Sequence, residues 1–193
     1  MKKLEKLDAK TIRIGIAGLI ALVVIVVIVV SVAGGSSDDN SSSTSGSGAA
    51  TRESLSESEL IAQASELGHP VYWVGSRPGT ESYELTNVTN SNGGNVYIRY
   101  LTGGAKAGDP RPNFLTIGTY SVPDASKALQ KAEKSNSGSN LSKREGYEVL
   151  EGKSGTDSYV VFEDEPELQI EIFSPNPGEA TELATSGALK PVE

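Results

Sequence analysis

A chain of 193 residues with 25 Asp and Glu against 17 Lys and Arg, no cysteine and one histidine excludes several classes before any pattern is read. A net charge of −8 disfavours nucleic acid and other polyanions, which bind through basic patches. Disulfides are impossible, and zinc, haem and iron–sulfur centres lack their usual ligands.

Taken in chain order, the first element is apolar. Ile14 to Ala33 runs for 20 residues without a charge and is built mostly from Val and Ile. As a helix it spans roughly 30 Å, the thickness of a bilayer's hydrocarbon core. In lipid a lone segment satisfies its own backbone only as a helix, whatever the β-branched preference in water. Signal-peptide cores usually stop at about 15 residues, so this run reads as a retained anchor rather than a cleaved leader, although Ser31-Val32-Ala33 would suit a peptidase. Lys2, Lys3, Lys6, Lys10 and Arg13 precede it, whereas no basic residue follows until Arg52. The basic side stays in the cytoplasm. The expectation is a single-pass signal-anchor: residues 1–13 cytoplasmic, 14–33 transmembrane, the remainder extracytoplasmic at the cell membrane.

Residues 34–54 form the next unit. Eleven of the 17 residues from Gly34 to Ala50 are Gly or Ser and none is a large apolar, so burial cannot offset the entropy of ordering. This stretch reads as a disordered tether. Five of the 17 basic residues and two of the 25 acids precede the apolar run, which leaves everything beyond it with a charge of −11.

Residues 55–193 are long enough for one domain with its own core. "LSESELIAQASELGHP" reads as a helix: Ser56 and Glu59 make an S-x-x-E capping box, Leu55 staples onto Leu60, and Gly68 and Pro70 close the end. Seven strand-like runs are rich in Val, Ile, Thr and aromatics: "VYWVG", "SYELTNVT", "NVYIRYL", "FLTIGTYSV", "YEVLEG", "SYVVFED" and "LQIEIFS". "DASKALQKAEK" reads as a second helix capped by Asp124. "NPGEATELATSG" reads as a third, with Asn176 as cap and Pro177 in the first turn. Helices at three places among runs of strands predict an α+β fold, an antiparallel sheet of about seven strands with about three helices packed on one face. Each half is a helix followed by strands, which hints at duplication without any residue-level repeat.

Motifs for chemistry are sparse. His69 sits in a turn between Gly68 and Pro70, a poor place to build a nucleophilic triad. Nucleotide-binding glycine motifs are missing, and "LTGGAKAGDPRP" reads as a long hairpin loop. Glu163, Asp164, Glu165 and Glu167 crowd a turn around Pro166; hard cations bind such oxygens, but the spacing matches no calcium loop and reads as a solvated hairpin. Sequons occur at Asn40, Asn87 and Asn140.

The strands carry the functional expectation. One alternating set is apolar: Val71, Trp73, Tyr83, Leu85, Val96, Ile98, Tyr100, Leu115, Ile117, Val149, Val161, Leu168, Ile170 and Ile172. The other is mixed: Tyr72, Val74, Thr86, Tyr97, Arg99, Thr116, Tyr120 and Glu171. Tyr72, Tyr97, Arg99 and Tyr120 are the candidate ligand or partner face, since tyrosine offers a flat apolar body with a polar tip and arginine a planar fork of donors. The expected function is a membrane-tethered binding or interaction module of the cell envelope, contacting the bilayer through its anchor and a protein, glycan or lipid through this face. It is read as not an enzyme, with no cofactor, no metal and no nucleic-acid partner. The alternative is a carboxylate-dependent extracytoplasmic enzyme acting on an envelope polymer.

Overall fold

The computed structural model describes residues 52–90 and 93–193. The expected cytoplasmic segment, the anchor and most of the linker lie outside the described residues, and no helix among those described is long and apolar enough to cross a membrane.

The folded part is α+β, with more strands than expected. Strand β1 (Ser54–Leu55) leads into helix α1 (Glu57–Ser65), and β2 (Tyr72–Trp73), β3 (Ser82–Asn90), β4 (Gly93–Leu101) and β5 (Thr116–Ser121) follow. Helix α2 (Ala125–Ser135) precedes β6 (Asn140–Arg144), β7 (Tyr147–Glu151), β8 (Asp157–Phe162) and β9 (Leu168–Phe173). Helix α3 (Glu179–Thr185) and β10 (Lys190–Pro191) complete the chain. Eight strands make one antiparallel sheet in the order β1-β3-β4-β5-β9-β8-β7-β6, and β2 pairs with β10 in a separate ribbon. Both halves are meanders that end at the centre, where β5 meets β9.

The main core fills one face. Leu85, Ile98, Ile117 and Ile172 line up across β3, β4, β5 and β9 and are buried. Against them pack Leu60 and Ala64 of α1, Ala180, Leu183 and Ala184 of α3, and the β2 ribbon with Tyr72, Trp73 and Val74. Ser56 caps α1 as its sequence requires: its hydroxyl accepts from the Glu59 amide at 3.3 Å, while Glu59 accepts from the Ser56 amide at 2.8 Å. Leu55 and Leu60 share the core, as a hydrophobic staple should.

Three expectations are corrected. The helices do not share one face: α1 and α3 cover the main core, whereas α2 covers the other side. Val149 points into the main core, so its neighbour Glu148 points away, and Glu148 accepts from Ser126 of α2 at 2.6 Å. Consequently β8 buries both of its faces; Val160 belongs to the main core and Val161 to the side of α2, not the reverse. This placement also separates the halves, which share a strand order but not a helix arrangement. Finally, two caps move. Asp124 stands at the start of α2 with φ of 53° and no capping bond, and it pairs with Lys127 at 3.0 Å instead. Helix α3 begins after Gly178, whose φ of 88° suits glycine, so Asn176 lies before the cap and donates its side-chain amide to Glu179.

The two hairpin expectations hold in position. Residues 102–115 link the antiparallel neighbours β4 and β5, and the acidic turn at 163–167 links β8 and β9, with Glu163 paired to Lys143 at 3.0 Å.

Candidate functional site: a tyrosine and glutamate row on the second sheet face

Antiparallel register sets one row of residues across the second face. Thr86 opposes Tyr97, Tyr97 opposes Gly118, Gly118 opposes Glu171, and Glu171 opposes Tyr159. Residues directly opposite one another stand about 4.5–5.5 Å apart, so the row is a contact chain. Tyr120, two positions beyond Gly118, folds back along β5. A Cβ built on Gly118 would lie 2.7 Å from its hydroxyl, so the phenol ring occupies the space that glycine leaves. Its edge meets the Tyr97 ring at a centroid distance of 5.6 Å.

Glu171 is the polar centre. It is buried, and Tyr120 and Tyr159 each donate to one of its oxygens, the latter at 3.2 Å. Burial raises its pKa to about 7, against the opposing pull of the two hydroxyls. The same desolvation raises the phenols of Tyr97, Tyr120 and Tyr159, so all three remain donors at neutral pH. Tyr97 is 6% exposed, yet its hydroxyl has no hydrogen-bond partner among the described residues. Tyr120 and Asn95 lie beside it without closing a bond.

The four residues expected on this face divide. Tyr97 and Tyr120 are brought together. Arg99 is on the same face but already engaged: it donates to Glu84 at 2.7 Å and to the carbonyls of Asp109 and Arg111 at 2.9 and 3.0 Å, and it stacks on Phe114 at 4.8 Å. It pins the β4–β5 loop to the sheet. Tyr72 is on the opposite side, in the main core, stacked on Phe162 at 5.2 Å. The expectation of one face holding all four is corrected by β2, which leaves the large sheet and pairs only with β10. The face is also drier than its composition implies, because Thr86, Tyr97, Gln169, Glu171 and Tyr159 are all buried.

Tyr159 and Gly118 escaped the sequence reading. "SYVVF" has no clean alternation, so its facing cannot be read from periodicity. Gly118 did carry a signal: a glycine inside a strand marks a close approach. His69 lies in the turn after α1, and its Nδ1 is 3.2 Å from the Pro70 carbonyl. Among the described residues no group of His, Cys, Asp and Glu is placed to hold a metal ion. Comparison of the chain with protein-family models, curated proteins and solved structures finds no match.

Proposed function

We propose that this chain is a membrane-tethered, extracytoplasmic binding module of the cell envelope, whose ligand completes the hydrogen bonding of Tyr97. The observation that carries this reading is the Tyr97 hydroxyl, buried without a hydrogen-bond partner among the described residues in a row where the hydroxyls of Tyr120 and Tyr159 are both engaged. Leaving such a group unpaired costs about 1–3 kcal/mol, which a ligand or partner offering one donor or acceptor would recover. The uncharged 20-residue run and its basic flank support the membrane placement.

Tyr97→Phe tests the ligand contact cleanly, since it keeps the ring and removes only the unpaired oxygen. The full chain carrying this substitution should be at least as stable as the wild type. It should lose the envelope component that the wild type captures from solubilised membranes. Equal capture by both proteins would overturn the role of Tyr97. The membrane placement is tested separately: a reporter active only outside the cytoplasm should work when fused after Glu193, and activity confined to a cytoplasmic reporter would reverse the orientation.

A second reading rests on Glu171. A carboxyl that titrates near neutrality is poised for proton transfer, as an enzyme acting on an envelope polymer would need. Glu171→Gln separates the two: an enzyme loses turnover while keeping capture, whereas a binding module has no turnover to lose.

A further inference from the structure

Where β8 ends, the main-core face of the sheet runs out into a half-covered apolar row. Tyr147 opposes Phe162 across β7 and β8 with ring centroids 5.7 Å apart, and Leu168 opens β9. All three are partly exposed and pack against the core. Tyr72 stacks on Phe162 and is only 5% exposed. Its hydroxyl makes no hydrogen bond among the described residues. Burial raises this phenol's pKa to about 12, and the charges of Glu165 and then Asp164 add to the shift. The hydroxyl is therefore neutral and faces the acidic turn.

That turn, which joins Phe162 to Leu168, has no structural need for its charge. Its backbone holds it in place. The Glu165 amide donates to the Phe162 carbonyl at 3.2 Å and the Leu168 amide to the Glu165 carbonyl at 3.0 Å. The amides of Ala125 and Val122 tie down the carbonyls of Pro166 and Glu167 at 3.1 and 2.8 Å. Glu163 pairs with Lys143, but the carboxylates of Asp164, Glu165 and Glu167 make no hydrogen bond or ion pair among the described residues, although Glu165 is half-buried. They do not guard a sheet edge, because β8 and β9 each have a strand on both sides. Nor do they converge on one point: among the described residues no three such groups are placed to share a metal ion. The result is a pinned turn of unpaired negative charge beside partly exposed rings and an unpartnered hydroxyl.

We propose that this corner binds a lysine- or arginine-bearing segment of a partner protein. A basic side chain is an apolar stem with a cationic head. The stem suits the exposed parts of Tyr147, Phe162 and Leu168, and the two rings also attract a cation. The head carries donors only, and it finds acceptors in the carboxylates of Asp164 and Glu165 and in the Tyr72 hydroxyl. The charge of −11 beyond the apolar run steers such a partner towards the domain. The corner lies on the main-core side of the sheet, whereas the Tyr97 row lies on the other, so the inference does not rest on that reading.

The test is an amide chemical-shift titration of the full chain in an uncharged detergent at low salt. Tetralysine and tetra-arginine peptides are the probes, with tetraglutamine and calcium chloride as controls. At least one basic peptide should shift the amides of Tyr147 and of residues 163–168 with a sub-millimolar dissociation constant, and tetraglutamine should not. The double variant Asp164→Asn, Glu165→Gln should weaken that binding about fivefold or more. The double variant Glu53→Gln, Glu66→Gln removes as much charge from exposed sites elsewhere and should stay within about twofold of the wild type. Tyr72→Phe keeps the stacked ring, removes only the hydroxyl and should weaken binding about threefold or more. Tyr97→Phe should bind the peptide as the wild type does. Absence of shifts at the turn, an equal loss in both double variants, wild-type affinity in Tyr72→Phe, or the same shifts from calcium at lower concentration would overturn the inference.

Discussion

The ring of Tyr120 lies over Gly118, and that contact brings its hydroxyl to Glu171, the residue directly opposite Gly118 on β9. A single methyl group placed at position 118 would compete with the ring for the same space. Tyr120 cannot swing freely aside, because Tyr97 packs against it and Glu171 holds its tip. Gly118→Ala should therefore break the Tyr120–Glu171 hydrogen bond and destabilise the domain by about 1–3 kcal/mol. Thermal or denaturant unfolding measures the cost. A stability equal to wild type would mean that Tyr120 repacks without loss.

Glu171 gives the domain a pH dependence of unusual sign for a carboxylate. Its folded pKa of about 7 lies above the ordinary value of 4.5, so the native state holds a proton that the unfolded chain releases. Stability from this group is present in full below about pH 4.5 and is lost as pH rises through 7. The total is on the order of 3 kcal/mol, from 1.36 kcal/mol per pKa unit. The groups facing Glu171 are Tyr120, Tyr159, Tyr97 and Asp157, and the three phenols are held neutral throughout this range. Asp109 and Glu179 have lowered values and take up their protons only in stronger acid. The wild type should thus be more stable at pH 5 than at pH 8, and Glu171→Gln should flatten the difference. Paired denaturant titrations at the two pH values read this directly.

Arg99 holds the β4–β5 loop with one guanidinium, through a carboxylate, two carbonyls and an aromatic ring. Lysine keeps the charge but cannot reproduce that fork. Arg99→Lys should cost on the order of 2 kcal/mol and free the loop first. Trypsin should then cleave after Lys106 faster than in the wild type, before the sheet unfolds. Unchanged cleavage would show that Phe114 and Leu101, packed together beneath the loop, hold it without Arg99.

Asp124 is the one non-glycine residue with positive φ among those described. Its pairing with Lys127 is exposed on both sides and contributes little. Asp124→Gly should relieve the left-handed backbone and raise stability by roughly 0.5–1 kcal/mol, net of the entropy that glycine loses on folding. A drop in melting temperature would show that the ion pair or the aspartate backbone preference outweighs that strain.

The contrast between what the sequence disclosed and what it withheld follows from how each feature is encoded. The α1 cap is written in four consecutive residues, and β3, β4, β5 and β9 announce themselves by apolar alternation, because local chemistry decides them. Strand β6 was invisible: "NLSKR" has one apolar residue, Leu141, and is a strand because β7 pairs with it. The separation of Tyr72 from Tyr97 was equally hidden. Both alternate correctly within their own strands, but only long-range pairing tells which sheet a strand joins. The side of α2 is a third case, since its amphipathic stripe states that it packs and not on which face. At the candidate site, the tyrosines were legible as types, while the burial of Glu171 and the isolation of the Tyr97 hydroxyl arise only when four strands stand side by side.

The strand order also dictates how the chain can reach this structure. Within each meander, neighbours in the sheet are neighbours in sequence, so β3–β5 and β6–β9 can zip by loop closures shorter than the one at the seam. The seam between β5 and β9 joins residues such as Tyr120 and Glu171, 51 positions apart, and carries the larger loop-closure entropy. The seam therefore closes late, after both meanders exist. The coupling energy between Ile117→Val and Ile172→Val, which face each other across the seam, should appear in the unfolding rate and not in the folding rate, whereas the coupling between Ile98→Val and Ile117→Val inside the first meander should appear in the folding rate. The Tyr120–Glu171 hydrogen bond would then be among the last native contacts to form, and the candidate site would not exist in any partly folded form of the chain.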